Sequence, residues 1–189
     1  MKINSLNGCE MVTITVSGTP GSGKTTVAKF LKEKIGLKYV YSGKVFREMA
    51  RQYGMSLQDF GRYCEKHREI DEKLDNRQIE ILKEGDVILE GRLAGWLAHR
   101  NNIPAFKILI DADIDVRAKR IVKREGGTVE ERKKEIVERE KSEMLRYKKY
   151  YDIDLKDTSI YDVVVDSTNL SPKGVIDVIL KKMRDKHFL

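Results

Sequence analysis

Residues 12–31 read VTITVSGTPGSGKTTVAKFL, and the glycine-rich centre of this run separates two different periodic patterns. The run 12–16 before it is apolar and β-branched, as in a buried strand. After it, apolar residues recur at Val27, Phe30, Leu31 and Ile35, which is the spacing of one helix face. The pattern predicts a strand that turns directly into a helix, and this restricts the chain to folds that contain such a unit.

The turn itself fits the phosphate-binding pattern G-x-x-x-x-G-K-[ST], and a strand before with a helix after is the context that this motif needs. Its glycines let backbone N–H groups point at phosphate oxygens, and the positive end of the helix adds to the attraction. Lys24 would reach the β- and γ-phosphates, and the Thr25 hydroxyl would ligate Mg²⁺. A glycine-rich turn without a ligand is the alternative. The sequence predicts a nucleoside triphosphate site, with ATP bound by Gly18, Thr19, Pro20, Gly21, Ser22, Gly23, Lys24, Thr25 and Thr26.

Strand-like runs at 12–16, 39–41, 87–90, 106–110 and 163–165 alternate with helical patterns. This alternation predicts a three-layer α/β fold in which a five-stranded parallel sheet has helices on both faces. The final helix is expected to start after Ser171 as N-cap, with Pro172 in its first turn. At 189 residues the chain fits one domain, which we assign to residues 11–189. Residues 1–10 precede the first strand and are expected to form a disordered extension.

The net charge is +7, and the segment 115–150 alone holds 13 basic and 8 acidic residues. Such a region suits nucleic acid, a membrane surface or a polyanionic small ligand. Aromatic residues are scarce before Tyr147, so the phosphates of a small ligand are favoured over nucleic acid. No apolar run has the length of a membrane span. Cys9 and Cys64 lack metal or redox spacing, which favours a reduced, cytoplasmic protein.

Two stretches interrupt the alternation of strands and helices, one at about 42–82 and the other at about 117–151. A phosphate-binding loop with two such insertions resembles the nucleoside monophosphate kinases. The resemblance implies a P-loop kinase fold in which the first insertion grips the phosphate acceptor. It also implies that the second insertion is a lid over the donor.

The resemblance extends to the acceptor motifs. The segment SGKVFR, which begins at Ser42, is similar to the family's Gly-Asp-x-x-Arg motif, and LEGRLAGW is similar to the Asp-Gly-Arg-x-x-Gly segment of cytidylate kinases. In this family the planar guanidinium groups of the arginines form bidentate hydrogen bonds with the acceptor phosphate. Glu90, at the end of its strand, is the candidate to hold Mg²⁺ through water. Without the family, Arg47 would be an exposed helix residue and Glu90 a helix cap. The implied acceptor residues are Ser42, Gly43, Phe46, Arg47 and Arg92.

The lid candidates are arginines. Arg120 and Arg124 are similar to the lid-entry pair that meets the donor, and Gly126-Gly127 is a predicted hinge before a helix capped by Thr128. In that helix Arg139, Glu143 and Arg146 share one face. The spacing is similar to the Arg-x-x-x-Asp-x-x-Arg pattern of bacterial cytidylate kinases, with Glu143 in place of the Asp. The resemblance implies that the two arginines reach the transferring phosphoryl group and that the carboxylate recognises cytosine. An ordinary surface ion pair is the alternative.

The local strings SGKVFREMA, LEGRL and RYKKYYDID are similar to those of archaeal-type cytidylate kinases. The resemblance implies ATP-dependent, Mg²⁺-dependent phosphorylation of CMP or dCMP by a monomer that binds neither nucleic acid nor membranes. The attacking oxygen of a monophosphate is already ionised, so no general base is required. Replacing Lys24 or Arg146 is expected to lower turnover and leave the fold intact. The rivals are a kinase for AMP, UMP or shikimate, a nucleotide-driven switch, and a nucleic-acid-binding protein.

Overall fold

The computed structural model describes residues 12–188, so the expectation of a disordered extension at residues 1–10 lies outside it. A parallel sheet of five strands, in the order β2-β3-β1-β4-β5, forms the centre of the fold. The elements in chain order are β1 (Thr13–Gly18), α1 (Lys24–Ile35), β2 (Lys38–Tyr41), α2 (Ser42–Gln52), α3 (Leu57–Cys64), α4 (Arg68–Glu84), β3 (Val87–Glu90), α5 (Ala94–Arg100), β4 (Phe106–Asp111), α6 (Ile114–Glu125), α7 (Val129–Tyr151), β5 (Val163–Asp166) and α8 (Pro172–Asp185).

The predicted α/β fold class is confirmed. Each of the five strand-like runs forms a strand, although β1 extends to Gly18 where the pattern had predicted an end at residue 16. Parallel pairing of β1 with β3 and with β4 places β1 at the centre. The carboxyl ends of all strands therefore lie at one edge of the sheet, where ligands bind in such folds.

Two apolar clusters cover the two faces of the sheet. On one face α1 and α8 pack on Ile14, Val16 and Ile108, which have no exposed surface. On the other face α4 and α5 pack on Leu89, together with Tyr147 from the end of α7. Because successive strand residues point to opposite faces, Ile88 and Leu89 belong to different clusters. The result is a three-layer arrangement.

The first insertion consists of α2, α3 and α4, which enclose their own apolar cluster around Phe60. The second consists of α6 and α7, which the adjacent Gly126 and Gly127 separate, with φ of 78° and 83°. Thr128 and Glu131 form a capping box at the start of α7, as the sequence had indicated for Thr128. Ser171 caps α8 through the Gly174 N–H, with Pro172 in the first turn. In the part of the chain that the structure covers, no helix has the length and apolarity to cross a membrane.

Candidate active site

The glycine-rich turn lies at the carboxyl edge of the sheet, between β1 and α1. A Cβ on Gly18 would lie 2.0 Å from the carbonyl oxygen of Ile110, so the neighbouring strand leaves room only for glycine. Gly21 has φ of 81°, and a Cβ there would lie 2.8 Å from the carbonyl oxygen of Arg117. The two glycines thus serve close backbone packing as well as the curled conformation that an anion site needs.

Lys24 is the first residue of α1, and its Nζ donates a hydrogen bond to the carbonyl oxygen of Thr19 at 2.6 Å. Burial and the nearby Arg92 lower the pKa of Lys24 to about 7, while Glu90 acts in the opposite direction. The ammonium is therefore held in a site where its charge is poorly compensated. A bound polyanion would supply the missing compensation.

Thr25 and Glu90 lie side by side at this end of the sheet. The Thr25 hydroxyl donates to Glu90 Oε1 at 2.7 Å, and the Tyr39 hydroxyl donates to Glu90 Oε2. A hydroxyl and a carboxylate next to a phosphate-binding loop are the hard oxygen donors that Mg²⁺ takes, together with phosphate oxygens. The residues present fit a magnesium ion.

One cavity of about 1740 Å³ extends from the glycine-rich turn across the carboxyl edge of the sheet to α2, α4 and α7. Its wall includes every residue that the sequence proposed for a site except Thr19. The Thr19 hydroxyl instead donates to Asp111 at the end of β4, so this side chain fixes the turn to the neighbouring strand. The cavity joins the two groups of residues that the sequence analysis had assigned to donor and acceptor.

Arginines enter the cavity from several elements. Arg47 on α2 donates to the Tyr41 hydroxyl, and its guanidinium lies 4.9 Å from the centre of that ring. Arg120 donates from Nη1 to Ser167 Oγ at 2.9 Å and from Nη2 to the Ser167 carbonyl oxygen at 2.8 Å, which links α6 to the end of β5. Arg124 is exposed and pairs with the adjacent Glu125.

Glu143 on α7 joins two of the proposed site arginines. Its Oε2 accepts from Arg92 Nε and its Oε1 accepts from Arg139 Nε, both at 2.8 Å, and only 5% of its side chain is exposed. Although burial would raise the pKa of this carboxyl, Arg139 and Arg92 hold it down at about 2. Glu143 is therefore a buried carboxylate that bridges two arginines, and not the member of a surface ion pair that the sequence left open. It holds two positive groups towards the cavity.

Arg146, one turn further along α7, reaches the first insertion. Its Nη1 donates to both carboxylate oxygens of Asp71 on α4, and 3% and 5% of the two side chains are exposed. The guanidinium also lies 5.6 Å from the centre of the Phe46 ring and 5.3 Å from that of Tyr147. This contact connects the second insertion to the first within the cavity wall.

A family model described as the cytidylate kinase-like family matches residues 13–169. The chain belongs to this family. A cytidylate kinase of Methanocaldococcus jannaschii is 49% identical over 167 residues, which are 88% of this chain and 94% of that protein. A cytidylate kinase of Pyrococcus horikoshii is 49% identical over 170 residues, 90% of this chain and 87% of that protein.

Among solved structures, an uncharacterized protein from Eubacterium ventriosum resembles the chain with a TM-score of 0.68 at 19% identity. The superposition covers 92% of this chain and 98% of that one. At this identity the likeness concerns the fold alone. The family membership agrees with the resemblance that the sequence motifs indicate.

The polar residues of α4 were not among the site residues predicted from the sequence. Asp71, Asp75 and Gln78 are buried, and they line the cavity. Tyr151 donates its hydroxyl proton to Asp75 Oδ2 at 2.8 Å, yet burial raises the pKa of Asp75 to about 7. Their spacing of four and three residues places them on one helix face, which in a sequence is indistinguishable from a solvent-exposed face. Only the position of α7 opposite this face distinguishes the two.

The bridge at Glu143 leads to a prediction about acid stability. Because its pKa is about 2 in the fold against 4.5 for an ordinary glutamate, this carboxylate stabilises the fold above pH 4.5. That stabilisation is lost as the pH falls from 4.5 to 2. We expect Glu143→Gln to lower the free energy of unfolding at pH 7 by about 3 kcal/mol, since Arg92 and Arg139 lose their shared partner.

Urea titrations of the wild type and the variant between pH 2 and 7 measure this effect. The difference in free energy of unfolding between the wild type and the variant should shrink as the pH falls from 4.5 to 2. Glu138→Gln is the matched control, because Glu138 is exposed on the same helix. A difference that stays constant down to pH 2 would contradict the buried bridge.

Proposed function

We propose that this chain transfers the γ-phosphoryl group of ATP to CMP or dCMP, giving ADP and CDP or dCDP. The observation that carries the proposal is one continuous cavity, which has a phosphate-binding loop at one end and Arg47, Arg92 and Arg139 around the other. The family relatives are named cytidylate kinases and match along nearly their whole length, which supports the CMP acceptor over AMP, UMP or shikimate.

In this proposal catalysis consists of positioning and charge neutralisation. Lys24 and the N–H groups of the glycine-rich turn hold the donor's β- and γ-phosphates. Mg²⁺, held by Thr25 and by Glu90 through water, would neutralise phosphate charge when bound. Arg47 and Arg92 orient the acceptor monophosphate, whose ionised oxygen needs no base before it attacks the γ-phosphorus atom.

The two insertions take the roles of acceptor clamp, at about 42–82, and lid, at about 117–151. Arg120, Arg124, Arg139 and Arg146 belong to the proposed lid and would surround the transferring group. Gly126 and Gly127, with φ of 78° and 83°, lie between α6 and α7 and are the proposed hinge. Closure would exclude water, which would otherwise compete with the acceptor for the γ-phosphoryl group.

A panel of acceptors tests the proposal. Initial rates of ADP formation are measured with CMP, dCMP, UMP, AMP and shikimate, and with no acceptor. We expect CMP or dCMP to give the highest kcat/KM and ATP consumption without an acceptor to be slower by at least about a hundredfold. Equal ATP consumption with and without CMP would instead indicate a nucleotide-driven switch. A higher kcat/KM with AMP, UMP or shikimate would identify a different kinase.

A further inference from the structure

The wall of the cavity on α4 consists of buried polar side chains. Asp71, Asp75 and Gln78 are 3%, 8% and 9% exposed. Burying polar groups is costly unless each of them has a hydrogen-bond partner, so a buried polar stripe calls for a reason. Arg146 is the hydrogen-bond partner of Asp71. The hydrogen bonds of Asp75 and Gln78 determine which polar atom of this wall remains available to a ligand.

Asp75 determines the orientation of the Gln78 amide. Gln78 Nε2 donates to Asp75 Oδ1 at 2.9 Å, while Tyr151 occupies Asp75 Oδ2. Gln78 Nε2 also donates to the carbonyl oxygen of Leu74 at 3.4 Å, and because a carbonyl oxygen only accepts hydrogen bonds, the NH₂ group of Gln78 faces Leu74 and Asp75. The amide oxygen, Oε1, is therefore turned the other way. It is buried and has no hydrogen-bond partner among residues 12–188.

The free amide oxygen lies against the acceptor motif. A Cβ built on Gly91 would be 2.9 Å from Gln78 Oε1 and 2.3 Å from Ser42 Oγ. Gly91 precedes Arg92, the residue assigned to the acceptor phosphate, and Ser42 begins the other acceptor segment. The unpaired acceptor atom is thus located where the two proposed acceptor segments meet.

The buried carboxylates Glu143 and Asp71 in this wall do not offer such an atom. Each oxygen of Glu143 accepts from an arginine Nε, and each oxygen of Asp71 accepts from Arg146. Glu143 therefore holds arginines in place, whereas Gln78 Oε1 keeps its capacity to accept a hydrogen bond. A ligand with an amino group would satisfy it.

We propose that Gln78 recognises the exocyclic amino group of the acceptor base, and that Asp75 and Tyr151 are positioning residues that keep its oxygen towards that group. This inference rests on the proposed function. Cytosine carries an amino donor at C4, where uracil carries a carbonyl acceptor. An amide oxygen held in place accepts a hydrogen bond from the amino group of cytosine. Against the carbonyl oxygen of uracil it can form no hydrogen bond, since both groups are acceptors, so it discriminates against UMP.

The test compares Gln78→Leu with the wild type by measuring kcat/KM for CMP and for UMP. We expect the preference for CMP over UMP to fall by about tenfold to a hundredfold, the range for an unmade buried hydrogen bond. The dissociation constant for a non-hydrolysable ATP analogue should stay within about twofold. Lys83→Leu is the control: it places a leucine at an exposed position of the same helix that does not line the cavity, and its preference should equal that of the wild type.

Asp75→Asn is a second test that remains valid if Gln78→Leu fails to fold, because asparagine has nearly the same size as aspartate. An asparagine can donate as well as accept, so only the longer contact with the Leu74 carbonyl oxygen still favours the original orientation, and the Gln78 amide can turn to present its NH₂ group to uracil. We expect kcat/KM for UMP to rise and that for CMP to fall, which a merely structural defect would not produce.

The outcomes separate the two proposals. A wild type that phosphorylates neither CMP nor UMP would refute the proposed function. A wild type that prefers CMP, with the same preference in folded Gln78→Leu or in Asp75→Asn, would overturn the role of Gln78 and leave the kinase activity standing. Loss of both activities in equal proportion would also overturn it, because discrimination would be unchanged.

Discussion

Replacing Lys24 with methionine is expected to lower kcat by about a thousandfold and to raise the thermal stability of the ligand-free protein. The loss of activity follows from removing a fixed positive group beside the transferring phosphoryl group. The gain in stability follows from the lowered pKa of Lys24, which means that the fold disfavours the charged ammonium. Function and stability make opposite demands at this position.

The gain in stability of Lys24→Met should depend on pH. In the fold the pKa of Lys24 is about 7, against 10.5 for an ordinary lysine, so the unfolded chain binds more protons between these values. The loss of stability caused by the charged Lys24 ammonium is complete below pH 7 and vanishes as the pH rises to 10.5. The stability advantage of Lys24→Met should therefore be largest at pH 7 and decline towards pH 10.

Melting temperatures of the two ligand-free proteins across this pH range, together with kcat at saturating ATP and CMP, measure both effects. Lys29→Met is the control, because Lys29 is exposed on the same helix. It should change neither quantity appreciably. A Lys24→Met protein that turns over at the wild-type rate would remove this residue from the mechanism, and one that melts lower at pH 7 would contradict the buried-charge argument.

The sequence was informative where short-range patterns determine the structure. Alternation of apolar runs specified the sheet, and the capping residues Thr128 and Ser171 located the starts of α7 and α8. Glycines at 126 and 127 located the break between α6 and α7. These features depend on residues within one or two turns of each other, so a single sequence contains the information.

The partners of the polar residues could not be read in this way. Arg146 and Asp71 are 75 positions apart in the sequence, and Glu143 and Arg92 are 51 apart. The pairing of these charged side chains depends on how α7 packs against the first insertion, and no local sequence pattern encodes that packing. For the same reason the buried face of α4 resembled a solvent-exposed face.

The ion pair of Arg146 and Asp71 changes what removal of Arg146 should do. From sequence alone a variant at Arg146 is expected to keep its fold, but the structure shows that it would leave Asp71 buried without its partner. We expect Arg146→Met and Asp71→Leu each to lower the free energy of unfolding by about 3–5 kcal/mol, because each leaves an uncompensated buried charge.

The double variant, Asp71→Leu with Arg146→Met, separates the structural role of the pair from its role in the reaction. Replacing both charges with apolar groups of similar size removes the unpaired charge, so most of the lost stability should return. The activity should not return, because Arg146 is proposed to reach the phosphoryl group, and kcat should stay about a hundredfold below that of the wild type. Urea denaturation and steady-state rates on the four proteins complete the cycle, with the exposed pair of Asp59 and Arg62 as a control expected to show little coupling. Additive losses of stability would refute the coupling of the buried pair, while full recovery of kcat in the double variant would restrict Arg146 to a structural role.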